Sequence, residues 1–181
     1  MEFKEKSITL KNGKTAVLRA PKKEDAAEVL EFLRTACGET EYLASYPEEI
    51  SYTPDSEEKY LQNTLDNPNN MMIVCVVDGR IAGNCEIVFF SSAKTKHRGA
   101  VMIGLLKEFW GIGIGSALFS ELISAAKERG LKQLELEVIE GNIRAIALYE
   151  KMGFSVMAVH PNAFVLKDGS TRGAVFMRKV L

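Results

Sequence analysis

Hydrophobic residues recur along this chain at two spacings, and each spacing marks one type of element. A spacing of three or four residues predicts helices over 24–36, 54–67, 113–130 and 142–153. Alternation, or a short apolar run, predicts strands over 15–19, 71–77, 80–90, 98–106, 134–138, 154–159 and 174–181. Together they predict one α/β (α+β) domain over residues 1–181, with a mixed, mostly antiparallel sheet of about six to seven strands flanked by helices.

Composition agrees with a globular domain that needs neither disulfides nor a structural metal. The chain has 181 residues, 46% of them hydrophobic, which is enough to bury an ordinary core. Its three cysteines, Cys37, Cys75 and Cys85, form no C-x-x-C pair and only two histidines accompany them, so no metal site is predicted. A net charge of −1 predicts no general attraction to nucleic acid. The polar start and the lack of a long apolar stretch predict a cytoplasmic protein without a membrane partner.

Acidic residues are concentrated in one segment. Residues 24–66 contain twelve Asp and Glu side chains and two basic ones, a local net charge of about −10. Two interpretations remain open. Either the charges are the solvated faces of surface helices, or they surround an entrance that attracts a cationic substrate.

A glycine-rich turn, WGIGIGS from Trp110 to Ser116, precedes the predicted helix over 113–130. Glycines at alternate positions let the backbone approach a ligand, and the first-turn amides of a helix lack intrahelical partners and carry partial positive charge. The turn therefore suits a phosphate or diphosphate. Its spacing excludes the ATP-binding P-loop, and it differs from the dinucleotide fingerprint because the third glycine falls one residue early.

A second motif, NIRAIALYEKMGF over 142–154, follows the next predicted strand. In order and separation, the two motifs resemble the GCN5-related N-acetyltransferase (GNAT) family, whose acetyl-CoA loop [Q/R]-x-x-G-x-[G/A] is followed by a strand and by N-x-x-A-x-x-x-Y-x-x-x-G-F. The resemblance covers essentially the whole chain and rests mainly on 102–154. It implies the GNAT fold, acetyl-CoA (coenzyme A) as co-substrate and no metal.

The resemblance also implies roles for the matching residues. The loop amides would bind the coenzyme A diphosphate, while the backbone of Leu105 would pair with the pantetheine arm and polarise the thioester carbonyl. Asn142 would reach the same arm. Tyr149 lies two turns further along the same helical face, with the small Ala145 between them, so Tyr149 would protonate the departing thiolate. The implied coenzyme-binding residues are Leu105, Trp110, Gly111, Ile112, Gly113, Ile114, Gly115, Ser116, Asn142, Ala145 and Tyr149.

Two positions depart from the family pattern. Trp110 stands where the family usually carries Gln or Arg beside the diphosphate, so binding relies more on backbone amides. The strand segment 99–103 lacks the glutamate that many members use to deprotonate the attacking ammonium. A base is still required, because an amine is mostly protonated at neutral pH. Glu86, His97 and a water relay are the candidates, and Glu86 is the predicted catalytic base.

The predicted function is acetyl transfer from acetyl-CoA to a primary amine by direct attack, with Tyr149 as acid and Glu86 as base. Two alternatives remain open: a non-catalytic acyl-CoA-binding or regulatory module of the same fold, and a transferase with Cys85 as nucleophile beside His97. The acceptor would be a small cationic amine or a protein amine, and the loops over 37–54 and 159–172 would select it. Homodimerisation through the closing hairpin is possible.

Overall fold

A computed structural model describes residues 3–181 and forms one eight-stranded sheet with helices against both faces. The predicted domain boundary at residues 1–2 lies outside the described residues. The helices are α1 Ala26–Glu39, α2 Pro54–Asp66, α3 Ile114–Glu128 and α4 Ile143–Lys151. The strands are β1 Lys6–Thr9, β2 Thr15–Arg19, β3 Asn70–Val77, β4 Arg80–Phe89, β5 Arg98–Leu105, β6 Gln133–Ile139, β7 Ser155–Val165 and β8 Thr171–Val180. The predicted fold class is confirmed.

The sheet contains eight strands, so the predicted number of six to seven is too low. The strand that was missed is β1, whose side chains are nearly all exposed and therefore show no alternation. The prediction for the second cleft loop is also wrong over 159–165, because β7 continues to Val165. Backbone pairing with β8 stabilises this edge strand across two register shifts, and such long-range pairing leaves no periodic pattern in the sequence.

The sheet order is β1-β2-β3-β4-β5-β6-β8-β7, and only β5 and β6 are parallel. These two strands pair over three residues of each, from Arg98 to Ala100 in β5. Beyond Ala100, β5 continues along β4 while β6 continues along β8, so the two strands separate. The sheet therefore opens at its centre, where the predicted site residues lie.

Successive residues of β3 point to opposite faces and so divide the core in two. Ile73 and Cys75 pack on the face covered by α3, while Met72 and Val74 pack on the face covered by α1 and α2. Both sets are almost fully buried. The core thereby holds α3 on one face of the sheet and α1 with α2 on the other. In the described part of the chain, no helix is long and apolar enough to cross a membrane.

Candidate active site

A cleft of about 860 Å³ occupies the gap between β5 and β6. The separated strands form its floor, the start of α3 and the inner face of α4 form one end, and the α1–α2 loop with β7 and β8 forms the other. All eleven predicted coenzyme-binding residues except Ile112 and Ile114 line this cleft.

The glycine-rich turn forms the entrance to α3. Gly111 and Gly113 have φ values of 81° and 105°, a region that side-chain-bearing residues rarely adopt. The turn is held from behind, because the Lys11 amide donates a hydrogen bond to the Ile112 carbonyl at 3.0 Å. In residues 3–181, no side chain caps the first turn of α3, so its amides are available to an anionic ligand.

Three cations surround this turn, and none was identified from the sequence. Lys11 approaches Gly113, and the Lys151 Nζ atom lies 3.5 Å from the Ser116 hydroxyl. Arg144 approaches Gly111. Arg144 and Lys151 are seven residues apart, which places them on one side of α4, and this spacing was the available signal. The turn therefore combines helix-terminal amides with positive side chains, as a polyphosphate group requires.

The open edge of β5 presents backbone groups to the cleft. The Leu106 amide donates to the Ala82 carbonyl, so the even-numbered positions at this end bond to β4. The amides and carbonyls of Ile103 and Leu105 consequently point away from β4, toward the opening. The carbonyl of Leu105 is already occupied by the Trp110 indole N–H at 3.0 Å. A ligand pairing with this edge would therefore meet the Leu105 N–H and both backbone groups of Ile103.

Tyr149 reaches the cleft from α4, and its ring is 7% exposed. The ring packs edge-on against Phe119, with 5.3 Å between ring centroids. This burial raises the pKa of the Tyr149 hydroxyl to about 12, so the group remains protonated at neutral pH. The structure thus places a protonated phenol on the cleft wall.

Asn142 and Ala145 are next to each other at the start of α4. The Asn142 side chain accepts a hydrogen bond from the Ala145 amide at 3.2 Å, so it is the N-cap of the helix. Leu148, one turn later, packs against α3, and a Cβ atom added to Gly115 would lie 2.8 Å from its Cδ2 atom. Glycine at position 115 therefore allows α3 and α4 to approach closely.

Glu86 lies outside the lining of the cleft. It projects from β4 beneath α2, where it accepts hydrogen bonds from Asn70 Nδ2 at 2.9 Å and from the Tyr60 hydroxyl at 3.3 Å. Burial raises the pKa of its carboxyl, and those hydrogen bonds oppose the shift. Its strand partner Met102 does line the cleft, so Glu86 is one strand away from the opening.

His97 and Cys85 are not brought together. His97 is exposed and precedes β5, whereas Cys85 lies opposite Ile103, roughly 20 Å along that strand. Burial raises the pKa of the Cys85 thiol well above its usual value. Within residues 3–181, no group of three or more His, Cys, Asp and Glu side chains could hold a metal ion.

Two carboxylates on β6, neither of them predicted as a base from the sequence, do line the cleft. Glu135 is engaged by Arg98 at 2.8 Å and by Gln133. Glu137 is exposed, and in the described residues it has no ion-pair partner. Continuing the β5–β6 register places Glu137 level with Met102 across the opening. The alternation of β6 predicted that Glu137 faces away from the core, but it did not show that this face is the cleft.

The cleft walls at the end opposite the glycine-rich turn are largely apolar. The α1–α2 loop contributes Thr40, Tyr42, Leu43 and Ala44, while β7 and β8 contribute Met157, Phe164 and Phe176. None of the acidic residues of the 24–66 segment is among the lining residues described. Several of them bind backbone amides instead, as Glu39 does at Lys107 and Glu28 at Ile81. Eight of the twelve acidic residues are exposed, so the structure favours the solvated-surface interpretation over an acidic entrance.

Known proteins resemble this chain in sequence and in structure. Residues 36–154 match the sequence profile of the acetyltransferase (GNAT) family. The [ribosomal protein bS18]-alanine N-acetyltransferase of Haemophilus influenzae is 34% identical over 100 residues, which are 54% of this chain and 68% of that protein.

Solved structures share the fold. A GNAT acetyltransferase from Streptococcus pneumoniae has a TM-score of 0.85 at 28% identity, covering 92% of this chain and 99% of that one. The structure of yncA from Salmonella typhimurium, described as a candidate acetyltransferase and solved with its cofactor acetyl-CoA, has a TM-score of 0.78 at 20% identity, covering 92% and 94%. Because the family profile matches more than half of its length, this chain belongs to the acetyltransferase (GNAT) family of acyltransferases.

Proposed function

We propose that this chain transfers the acetyl group of acetyl-CoA to a primary amine by direct attack of the amine on the thioester. The observation that carries the proposal is the content of a single cleft. An anion-binding turn stands at one end, the open edge of β5 and a protonated Tyr149 stand at the middle, and Glu137, which forms no ion pair within residues 3–181, faces the other side. Each group corresponds to one requirement of the reaction.

Acetyl-CoA fits the first half of the cleft. Its diphosphate would lie on the amides at the start of α3, among Lys11, Arg144 and Lys151. Its pantetheine arm would extend along the edge of β5 as a short additional strand, bonding to Ile103 and to the Leu105 N–H. That N–H is the candidate donor to the thioester carbonyl, whose oxygen gains negative charge as the amine attacks.

Tyr149 serves as the general acid in this proposal. When the tetrahedral intermediate breaks down, the carbon–sulfur bond cleaves and the thiolate of coenzyme A takes the phenolic proton. A neutral hydroxyl is required for this step, and a pKa of about 12 keeps Tyr149 neutral. Its edge-on contact with Phe119 holds the ring in place.

For the general base we favour Glu137 over Glu86. The Glu137 carboxylate lines the cleft and forms no ion pair in the described part of the chain, whereas Glu86 is held by Tyr60 and Asn70 one strand away. Glu86 would need a water relay past Met102 to reach an amine in the opening. The sequence-based candidate therefore stays an alternative, and the two carboxylates can be tested separately.

A protein α-amine or a small amine is the proposed acceptor. The apolar walls at Tyr42, Phe164 and Phe176 suit the body of such a molecule, and Glu137 suits its ammonium group. The relative from Haemophilus influenzae carries a protein alanine in its name, which supports the first of these acceptors. The free cysteines agree with the cytoplasmic location predicted from the sequence.

The experiment is acceptor-dependent release of coenzyme A thiol from acetyl-CoA. Acceptors would be peptides with an N-terminal alanine, their N-formylated forms, free amino acids, polyamines and amino-sugars, each compared with acceptor-free hydrolysis. Acetylated product identified by mass spectrometry, and lost in a Tyr149→Phe variant, would support the proposal. Binding of acetyl-CoA without transfer to any acceptor would favour the non-catalytic module instead.

Self-association is proposed through β7, the outer strand of the sheet. Val156, Val159 and Val165 of this strand are each at least half exposed. A second copy pairing there would cover them. Sedimentation of the wild type and of a Val156→Lys variant tests this, since a monomeric wild type would contradict it.

A further inference from the structure

Building on the proposed use of acetyl-CoA, we propose that Trp110 and Arg144 form one anion-binding unit. In this unit the indole holds the Arg144 guanidinium beside the glycine-rich turn. In the GNAT loop pattern, a Gln or Arg stands at the position of Trp110. Here Arg144, which belongs to α4, supplies the corresponding polar side chain. Trp110 is then a positioning residue and Arg144 a coenzyme-binding residue.

The indole is held at its polar edge. The Trp110 Nε1–H donates to the Leu105 carbonyl at 3.0 Å, which ties the ring to the last residue of β5. The ring is half-buried and lines the cleft. This hydrogen bond holds one edge of the indole ring against the end of β5. It also links the two ends of the short segment between β5 and the glycine-rich turn.

The guanidinium lies against this ring. The Arg144 Cζ atom is 5.2 Å from the ring centroid, within the range of a cation–π contact. Its Nη1 atom is 3.7 Å from the position that a Cβ atom on Gly111 would occupy. The contact with the indole therefore places the Arg144 guanidinium beside Gly111, the first glycine of the turn.

Arg144 is available to a ligand. In residues 3–181 it forms no ion pair with any carboxylate, although it is an exposed side chain on a helix surface. Lys11 and Lys151 also approach the turn, but among the described residues neither has a cation–π contact to restrict its long side chain. A guanidinium held on a ring loses less freedom when it binds phosphate and can bind two of its oxygens.

The test measures the affinity of two thioesters by titration calorimetry. Acetyl-CoA contains the phosphates, whereas S-acetylpantetheine contains the same thioester arm without them. We expect Arg144→Gln to weaken acetyl-CoA binding about tenfold and to leave S-acetylpantetheine binding unchanged. The same variant should raise the KM for acetyl-CoA while kcat stays within about twofold. Lys127→Gln, which removes a cation at the far end of α3, is the matched control.

The link between the two residues is tested by a double-mutant cycle. Trp110→Leu should weaken acetyl-CoA binding, and adding Arg144→Gln to it should weaken binding less than it does in the wild type. Additive effects, or an unchanged affinity in Arg144→Gln, would overturn the inference. Trp110 is the single tryptophan of the chain, so its fluorescence should change when acetyl-CoA binds the wild type. A wild type that binds no acetyl-CoA would instead overturn the proposed function itself.

Discussion

The Lys167 backbone amide donates a hydrogen bond to the Tyr46 hydroxyl, 3.0 Å away, and so joins the α1–α2 loop to the turn between β7 and β8. The Lys167 ammonium lies over the Tyr46 ring and pairs with Glu48. Arg34 holds the other side of the loop through the carbonyls of Ile50 and Tyr52. These contacts join the α1–α2 loop to the turn after β7, and both segments lie next to residues that form the apolar walls of the cleft.

Breaking this connection should affect the acceptor and not the coenzyme. Lys167→Ala removes the ion pair and the cation–π contact, and we expect the KM for the acceptor to change about two- to fivefold while the KM for acetyl-CoA stays constant. Lys14→Ala, which removes an equally exposed ion pair with Asp78, is the control. A change in the acetyl-CoA KM alone would contradict this role of the loop.

Tyr149→Phe should lower kcat about 100-fold, because the thiolate would then leave without its proton donor. The pKa of about 12 keeps the wild-type hydroxyl protonated at every pH below that value. We therefore expect wild-type kcat to show no falling limb between pH 7 and about pH 10. Steady-state rates across this range check the prediction. A falling limb that disappears in Tyr149→Phe would show that the hydroxyl titrates lower.

Replacing each candidate base, Glu137 or Glu86, with glutamine should lower kcat/KM by a different amount. Glu137→Gln removes a carboxylate from the cleft and should lower kcat/KM about 100-fold for an ammonium acceptor. Glu86→Gln changes a group outside the cleft lining, and the resulting decrease in kcat/KM should be at least tenfold smaller than that in Glu137→Gln. The pH dependence of kcat/KM separates the two variants. In the wild type kcat/KM should rise with pH as the base loses its proton, and this rise should be absent from the variant that lacks the base. The reverse order of losses would restore Glu86 as the base.

Gly113→Ala should weaken acetyl-CoA binding beyond its effect on stability. The φ of 105° costs a side-chain-bearing residue on the order of 1 kcal/mol, and relief of that strain would turn the amides away from the ligand. Gly130→Ala is the matched control, since Gly130 has a φ of 76° at the end of α3 and open space around it. Both variants should unfold at lower temperature. An unchanged acetyl-CoA KM in Gly113→Ala would contradict the turn's role.

Asp25→Asn should destabilise the fold in a pH-dependent way. Burial alone would raise the pKa of Asp25, but hydrogen bonds from Arg19 at 2.6 and 2.9 Å and from the Lys22 amide hold it below its usual value. The stabilisation is therefore present above the unfolded pKa of about 4 and is lost as the pH falls through the folded value. We expect the free energy of unfolding of the variant to be lower than that of the wild type by on the order of 2 kcal/mol at pH 7. This difference should become smaller below about pH 4. Thermal unfolding at pH 7 and pH 3 measures it.

Elements with a buried face were predictable, whereas the exposed edge strands were missed wholly, as β1 was, or in part, as β7 was beyond residue 159. The stripe of α3 and the alternation of β6 exist because one side of each packs into the core, so both were located from their periodicity. β1 and most of β7 bury few side chains, and they are strands because a neighbouring backbone pairs with them. That pairing joins residues far apart in the chain and imposes no local pattern on either element.

The geometry at the starts of α3 and α4 was determined by the sequence itself. The glycine-rich turn, the Asn142 cap and the position of Tyr149 two turns later depend on local backbone geometry, which a motif specifies at fixed spacing. The separation of β5 and β6 is decided by strands that pair on their far sides. That separation shows that Glu137 faces the cleft, the pairing of β4 with β5 shows that Glu86 lies one strand away, and the packing of α4 beside the turn brings Arg144 to Trp110. Contacts of this kind depend on packing between distant segments, so they become visible only in the folded chain.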